Sequence, residues 1–394
     1  MSEHRLELAD VFRIHEDDFR ARWGQVLSRE QGKAFGDIRD CRTAVLGGHV
    51  EQYDCGHRVP MYNSCTNRSC PKCQAAARAK WLAEREAELL PVDTYFHVVF
   101  TLPQEIAHLA LQNARAIYRI LFRAASETLM TIAADPQHLG AEIGFLAVLH
   151  TWGQNLHIHP HIHCVVPGGG ISQDGSRWIA PRKKSFFLPV RVLGCLFRKK
   201  FLIYLEMAFQ KGELSFHGEL EPLAKPAAFT ALCDQAGHRK WVPYAKPPFG
   251  GPEQVLKYLA RYVQRAAISN SRLLSLENGR VTFAWKDYAD GNQSKTMTLD
   301  AVEFIRRFLL HVLPSGFVRI RHFRFLANRK RKEKLALCRG LLPARQTAAE
   351  PNTKTGEQEP RRCPICKAGQ LLFIEILTPE ALACLPKPLI ADTS

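Results

Sequence analysis

No stretch of the 394 residues approaches the roughly 18 consecutive apolar positions that a membrane-spanning helix needs, and nothing in the chain reads as a membrane span. The opening, MSEHRLELADVFRIHEDDF, lacks the basic end and apolar stretch of a secretory signal, so the expected compartment is the cytoplasm. No GxxxxGK[ST] motif occurs, which excludes a fused P-loop helicase or ATPase. There is no internal repeat. Acidic residues are in short supply: 38 Asp and Glu stand against 54 Lys and Arg, a formal charge of +16. Such an imbalance suits a polyanionic partner, because each phosphate neutralised releases counterions. Nucleic acid is the first such partner to consider and an anionic membrane surface the second.

What the chain has in quantity is cysteine. Twelve are present, five of them between Cys41 and Cys73 and a further pair at Cys363 and Cys366. Disulfides are rare in cytosolic chains, so clustered cysteines point to metal. Cys70-Pro-Lys-Cys73 has the spacing of half a structural zinc site. Cys363-Pro-Ile-Cys366 is another half-site, which Cys338 and Cys384 could supplement or which could be a degenerate remnant.

Apolar periodicity outlines the elements. VFRIHEDDFRARWGQVL reads as helix, the cysteine-rich stretch as irregular, and QAAARAKWLAEREAELL as helix ended by Pro91. TYFHVVFTL, GFLAVLHTW and HIHCVV read as strands, the last two close enough for a hairpin, with a long helix from about Gln104 to Ala134 between the first and second. Pro252 suits the first position of a helix running through EQVLKYLARYVQRAA. VTFAWKDY and SKTMTL read as paired strands around Asp290-Gly291-Asn292, DAVEFIRRFLLHVL as a helix capped by Asp300, and FVRIRHFRF as a last strand. PARQTAAEPNTKTGEQEPRR has the composition of a linker.

HIHPHIHCVV carries the most specific chemistry. Residues two apart on a strand face the same side, so His161 and His163 project together and can bind one divalent cation from a rigid support. His157 and His159 precede Pro160 and are weaker candidates. The third ligand is Gln154, near the hairpin turn, or Gln264 on the later helix. In KYLARYVQR, Tyr258 and Tyr262 are four apart and share a helix face, with Lys257, Arg261 and Arg265 adding positive charge for DNA. A tyrosine hydroxyl has a free pKa near 10; nearby cations and a metal-polarised phosphate would help it attack phosphorus.

VVFTLP, HPHIHC and YLARYVQRAAISNSRL, in that order, resemble the HUH (histidine-hydrophobe-histidine) endonuclease superfamily, and LGGH, NSC-NR-CPKCQ, HPHIHCVVPGGG and YLARY are similar to the two-tyrosine transposases of the IS91 family. The resemblance covers about Cys41 to Leu342. It implies an α+β fold: a central antiparallel sheet with covering helices, preceded by a small zinc-binding domain. It implies three regions: an N-terminal helix and zinc-binding domain over 1–91, a catalytic domain over 92–342, and a linker with a Cys-x-x-Cys tail over 343–394. It implies a rolling-circle enzyme working at the bacterial nucleoid on single-stranded DNA of transposon ends and target. There Mg²⁺ or Mn²⁺ polarises the scissile phosphate, and Tyr258 and Tyr262 are nucleophiles forming 5′-phosphotyrosine links. It also implies structural Zn²⁺. Relatives commonly carry Cys-x-x-Cys where this chain has Gln52-Tyr53-Asp54-Cys55, and often His where it has Ser69. Cys55 and Cys65 are therefore expected to complete the set with Cys70 and Cys73, with Cys41, His49 and His57 as substitutes. A plasmid-type replication initiator and a non-catalytic zinc DNA-binding protein are the rival readings. Oligomeric state is not legible.

Overall fold

The computed structural model describes residues 5–86, 88–183, 187–249, 254–255, 266–287, 290–291, 293–327, 329–342, 362–363, 365–367 and 371–383. These form strands β1 (Gly48–Tyr53), β2 (Arg58–Tyr62), β3 (Tyr95–Thr101), β4 (Phe145–Trp152), β5 (Ile158–Pro167), β6 (Gly170–Ile171), β7 (Trp178–Ile179), β8 (Tyr244–Phe249), β9 (Leu273–Glu277), β10 (Arg280–Asp287), β11 (Gln293–Asp300), β12 (Ile320–Phe323) and β13 (Leu371–Leu377). The fold is mixed α+β with antiparallel sheets, as expected.

The chain divides into two units that do not follow sequence order. One draws on Met1–Ala77, Arg265–Val312 and Gln346–Ser394; the other on Arg78–Gln264 and Leu313–Arg345. This differs from the three consecutive regions expected at 1–91, 92–342 and 343–394. The reason is packing. The helix Ala301–Leu309 buries Val302, Phe304, Ile305, Phe308 and Leu309, and Phe308 meets Phe12 edge-on at 5.7 Å while Phe12 stacks on Phe35 at 4.8 Å. An apolar helix face goes where it can be buried, and a chain-order reading cannot see that destination.

In the second unit the sheet runs β12-β4-β5-β3-β8, with β4–β5 the expected hairpin. Its two faces follow the period of two. Phe96, Val98 and Phe100 of β3, Phe145, Ala147 and Leu149 of β4, and Ile162, Cys164 and Val166 of β5 join one core with Ile117 and Leu121 of the helix Leu109–Ala134 and Phe197 and Phe201 of the helix Val190–Gln210. The intervening positions face the other way: Leu146, Val148 and Val165 pack with Phe325, Leu335 and Cys338. The long helix is interrupted at Asn113 (φ −116°, ψ 34°). Its side-chain amide donates to the Ser215 carbonyl at 2.9 Å and its side-chain oxygen accepts from the Ser215 N–H at 2.7 Å, which recovers two polar contacts at the break.

In the first unit β10 and β11 pair from Arg280↔Asp300 to Asp287↔Gln293, as the sequence suggests, and β9 adds an unforeseen third strand. Asp300 caps the next helix by accepting from the N–H groups of Val302 and Glu303. The opening helix breaks at His15 into Leu8–Ile14 and Glu16–Trp23. The last strand is β13, beyond the one expected at FVRIRHFRF; it pairs with β1, which also pairs with β2.

Candidate metal centres

Strand alternation and register assemble the histidine cluster. β4 and β5 pair with His150 opposite His161 and Val148 opposite His163. His161 and His163 are two apart on β5, so both rings stand on the face that His150 shares. The donor nitrogens of His150, His161 and His163 lie within 4.8 Å of one another. Ring centroids are 4.8 Å apart for His161 and His163, 4.6 Å for His150 and His163, and 5.4 Å for His150 and His161.

Two of the rings are held from behind. His161 Nδ1 is 2.6 Å from the carbonyl of His159; a carbonyl only accepts, so Nδ1 carries the proton and Nε2 keeps its lone pair. His163 Nδ1 is 2.8 Å from Nε2 of His97, a buried histidine on β3. Tying back one ring nitrogen to orient the other is how metal-binding histidines are set in place. Desolvation, and secondly the nearby His159, push His161 down to about 4, which keeps it neutral and able to coordinate near pH 7. His150 and His163 are buried and His159 is exposed.

Gln154, expected as the third ligand, lies in the turn between β4 and β5, while the third imidazole is His150. The sequence signal for His150 was its place two residues before Trp152 in a strand that otherwise reads apolar, and for His97 a single polar residue in TYFHVVF. Neither is visible as a ligand or a support until register is known. Tyr258, Tyr262, Lys257, Arg261 and Arg265, with Gln264, lie outside the described residues.

The thiols form two groups. Cys41, Cys65, Cys70 and Cys73 bring four sulfurs within 4.8 Å: Cys41–Cys73 are 3.6 Å apart, Cys65–Cys73 3.5 Å and Cys70–Cys41 3.7 Å. Zinc–thiolate bonds of ~2.3 Å in a tetrahedron place sulfurs ~3.8 Å apart, so the set fits that ion. Cys41 takes the place expected of Cys55. The hairpin explains the exchange. Cys41 adjoins the base of β1–β2, where the Arg42 N–H donates to the Asn63 carbonyl. Cys55 sits in the turn at the tip, beyond five ladder pairs from Gly48↔Tyr62 to Gln52↔Arg58, a span of roughly 15 Å at ~3.4 Å per residue. At the tip Cys55 meets Cys363 and Cys366 instead. His49 bonds Glu51 at 3.2 Å.

Comparison with known proteins finds two family models along the chain. Residues 11–102 match the family model described as "Transposase zinc-binding domain" and residues 144–334 the one described as "Putative transposase". A protein named "Putative transposase y4qJ", from Sinorhizobium fredii, is 55% identical over 387 residues, covering 95% of this chain and 96% of its own. The "Transposase for insertion sequence element IS801" of Pseudomonas savastanoi pv. phaseolicola is 29% identical over 299 residues, 73% of this chain and 68% of its own. No solved structure matches. With the zinc-binding match ahead of the transposase match, and identity above one half across nearly the whole of a related transposase, this chain belongs to the IS91 family of transposases.

Proposed function

We propose that this transposase nicks and rejoins single-stranded DNA at insertion-sequence ends by a rolling-circle route, with His150, His161 and His163 holding a divalent cation and Tyr258 and Tyr262 as nucleophiles. The observation that carries the reading is the convergence of three imidazoles from paired strands, two of them tied back through Nδ1. Mg²⁺ or Mn²⁺ held there would polarise the scissile phosphate. Three imidazoles leave coordination positions for water and phosphate oxygens, the ligands these hard cations prefer.

One tyrosine hydroxyl attacks phosphorus and gives up its proton. The bond from phosphorus to the 3′ oxygen breaks, leaving a 5′-phosphotyrosine and a free 3′-hydroxyl. A 3′-hydroxyl of another strand attacks that link, reforms the phosphodiester and releases the tyrosine, so no external energy source is used. The second tyrosine receives the other strand end. Lys257, Arg261 and Arg265 contact phosphates, which position the strand without reading its sequence. Cys41, Cys65, Cys70 and Cys73 bind one structural Zn²⁺. Work at the nucleoid follows from the substrate, and among the described residues no helix is long and apolar enough to cross a membrane.

The test is covalent adduct formation on labelled single-stranded element ends with Mn²⁺ or Mg²⁺, read on a denaturing gel with circular dichroism as the folding control. Wild type is expected to form the adduct and the Tyr258→Phe/Tyr262→Phe double variant none. A folded double variant that still forms it would sink the tyrosine assignment. His150→Ala is expected to form none; wild-type adduct levels in that variant would return the third position to Gln154.

A further inference from the structure

Cys55, Cys363 and Cys366 come from opposite ends of the chain yet bring three sulfurs within 4.8 Å, with Cys55–Cys363 at 3.4 Å. The four-thiol cluster does not use them. We propose that these three cysteines form a second, independent structural site for a soft divalent cation, Zn²⁺, which clamps the C-terminal strand β13 onto β1.

Three observations support it. Cys363-Pro-Ile-Cys366 has the two-residue spacing that lets both thiolates reach one ion. The chain also turns tightly at that pair. The turn is closed by the Lys367 N–H on the Cys363 carbonyl at 2.9 Å, with Lys367 in the left-handed region at φ 61°. Such a conformation in a non-glycine residue persists where its surroundings demand it.

The third observation is that β13 needs an anchor. It pairs with β1 from Gly48↔Leu377 to Tyr53↔Leu371, with a register shift between Val50 and Glu51. None of its described side chains is buried, and Ile376 is 81% exposed. A strand held by solvent-exposed ladder hydrogen bonds, with no side chain in a core, is of the kind that opens locally. Cys55 lies two residues beyond Tyr53 and Cys366 five before Leu371, so a cation on the three thiols locks that end of the ladder. Cys363 is buried, whereas Cys55 and Cys366 are exposed, so a fourth ligand to an ion held there would come from the solvent side. Three thiolates select Zn²⁺ over the hard cations suited to the histidine cluster.

The test uses the full chain, purified with zinc and under reducing conditions. Elemental analysis is expected to find one zinc ion fewer per chain in Cys363→Ser/Cys366→Ser than in wild type, whatever the histidine cluster holds. In wild type, Cys55, Cys363 and Cys366 should resist alkylation until a chelator is added, and β13 should become protease-sensitive in the variant. This holds whether or not the histidine and tyrosine reading is right, because no readout involves DNA. Unchanged zinc content in the variant would overturn the proposal. So would immediate alkylation of the three thiols in zinc-loaded wild type, a measurement that stands even if the variant fails to fold. Mass-spectrometric detection of a Cys55–Cys363 disulfide in the purified reduced protein would overturn it as well.

Discussion

His150, His161 and His163 stand on two strands that pair residue by residue over a packed core, whereas Cys41, Cys65, Cys70 and Cys73 come from the end of one helix, a loop and the start of another. The difference lies in what holds the ligands when no ion is bound. On β4 and β5 the alternate residues Ala147, Leu149, Ile162 and Cys164 are sunk in the sheet's core, and burial of such side chains is worth about 1.5–3 kcal/mol each for the larger ones. The imidazoles are thus placed by interactions that owe nothing to metal. The thiol segments have the short hairpin β1–β2 and helix caps to support them, so cation binding has to supply folding free energy there.

The contrast can be broken most directly by removing one ligand from each site. His161→Ala is expected to abolish adduct formation while leaving the dichroism spectrum, the melting curve and most of the DNA affinity at wild-type levels. Cys70→Ser, or a chelator, is expected to unfold the segment 41–73 and spare the sheet of the second unit, because a structural zinc site contributes on the order of 10 kcal/mol. Hydrogen exchange resolved by peptide reads both. Protection lost in β4 and β5 of His161→Ala, or retained over residues 41–73 after zinc removal, would erase the distinction.

A smaller effect probes the support behind the histidines. His97→Phe keeps a ring in the buried slot and deletes the bond to His163. Losing such a partner should lower metal affinity or activity about 10–100-fold, with recovery as Mn²⁺ is raised and no change in metal-independent DNA binding. If excess Mn²⁺ restores nothing, His97 acts through packing alone.

The smallest effect belongs to the first unit's own electrostatics. Arg306 chiefly, with Arg307, holds the Glu303 carboxyl down at about 2 despite its partial burial. A carboxylate depressed in the folded state stabilises above its unfolded pKa, and that contribution is lost as pH falls from about 4.5 towards 2. Glu303→Gln should therefore cost on the order of 1 kcal/mol near pH 7, given the partial exposure of the pair, and nothing near pH 2. Equal losses at both ends, followed by denaturant titration, would assign the effect to packing.

Much of this could be read along the chain. TYFHVVFTL, GFLAVLHTW and HIHCVV mark β3, β4 and β5 because short runs rich in β-branched, aromatic and aliphatic residues suit strands buried on both faces. The two-residue period of a strand pairs His161 with His163. Asp300 as a cap and the turn between β10 and β11 are legible for similarly local reasons. β13 is not legible locally, since LLFIEIL follows a linker-like segment and its partner strand β1 lies more than 300 residues earlier, with none of its described side chains buried.

By itself, then, the sequence determined what depends on neighbours a few residues apart: the strand periods, the histidine pair, the cysteine half-sites, the basic charge and the family. Tertiary structure decided which distant elements share a site. His150 joins the histidine pair because the register sets it opposite His161. Cys41 replaces Cys55 because a five-pair hairpin holds the two at opposite ends, and Cys55 finds Cys363 because β13 returns to β1. Register and strand return depend on how apolar faces are buried across the whole chain, a quantity no local spacing contains.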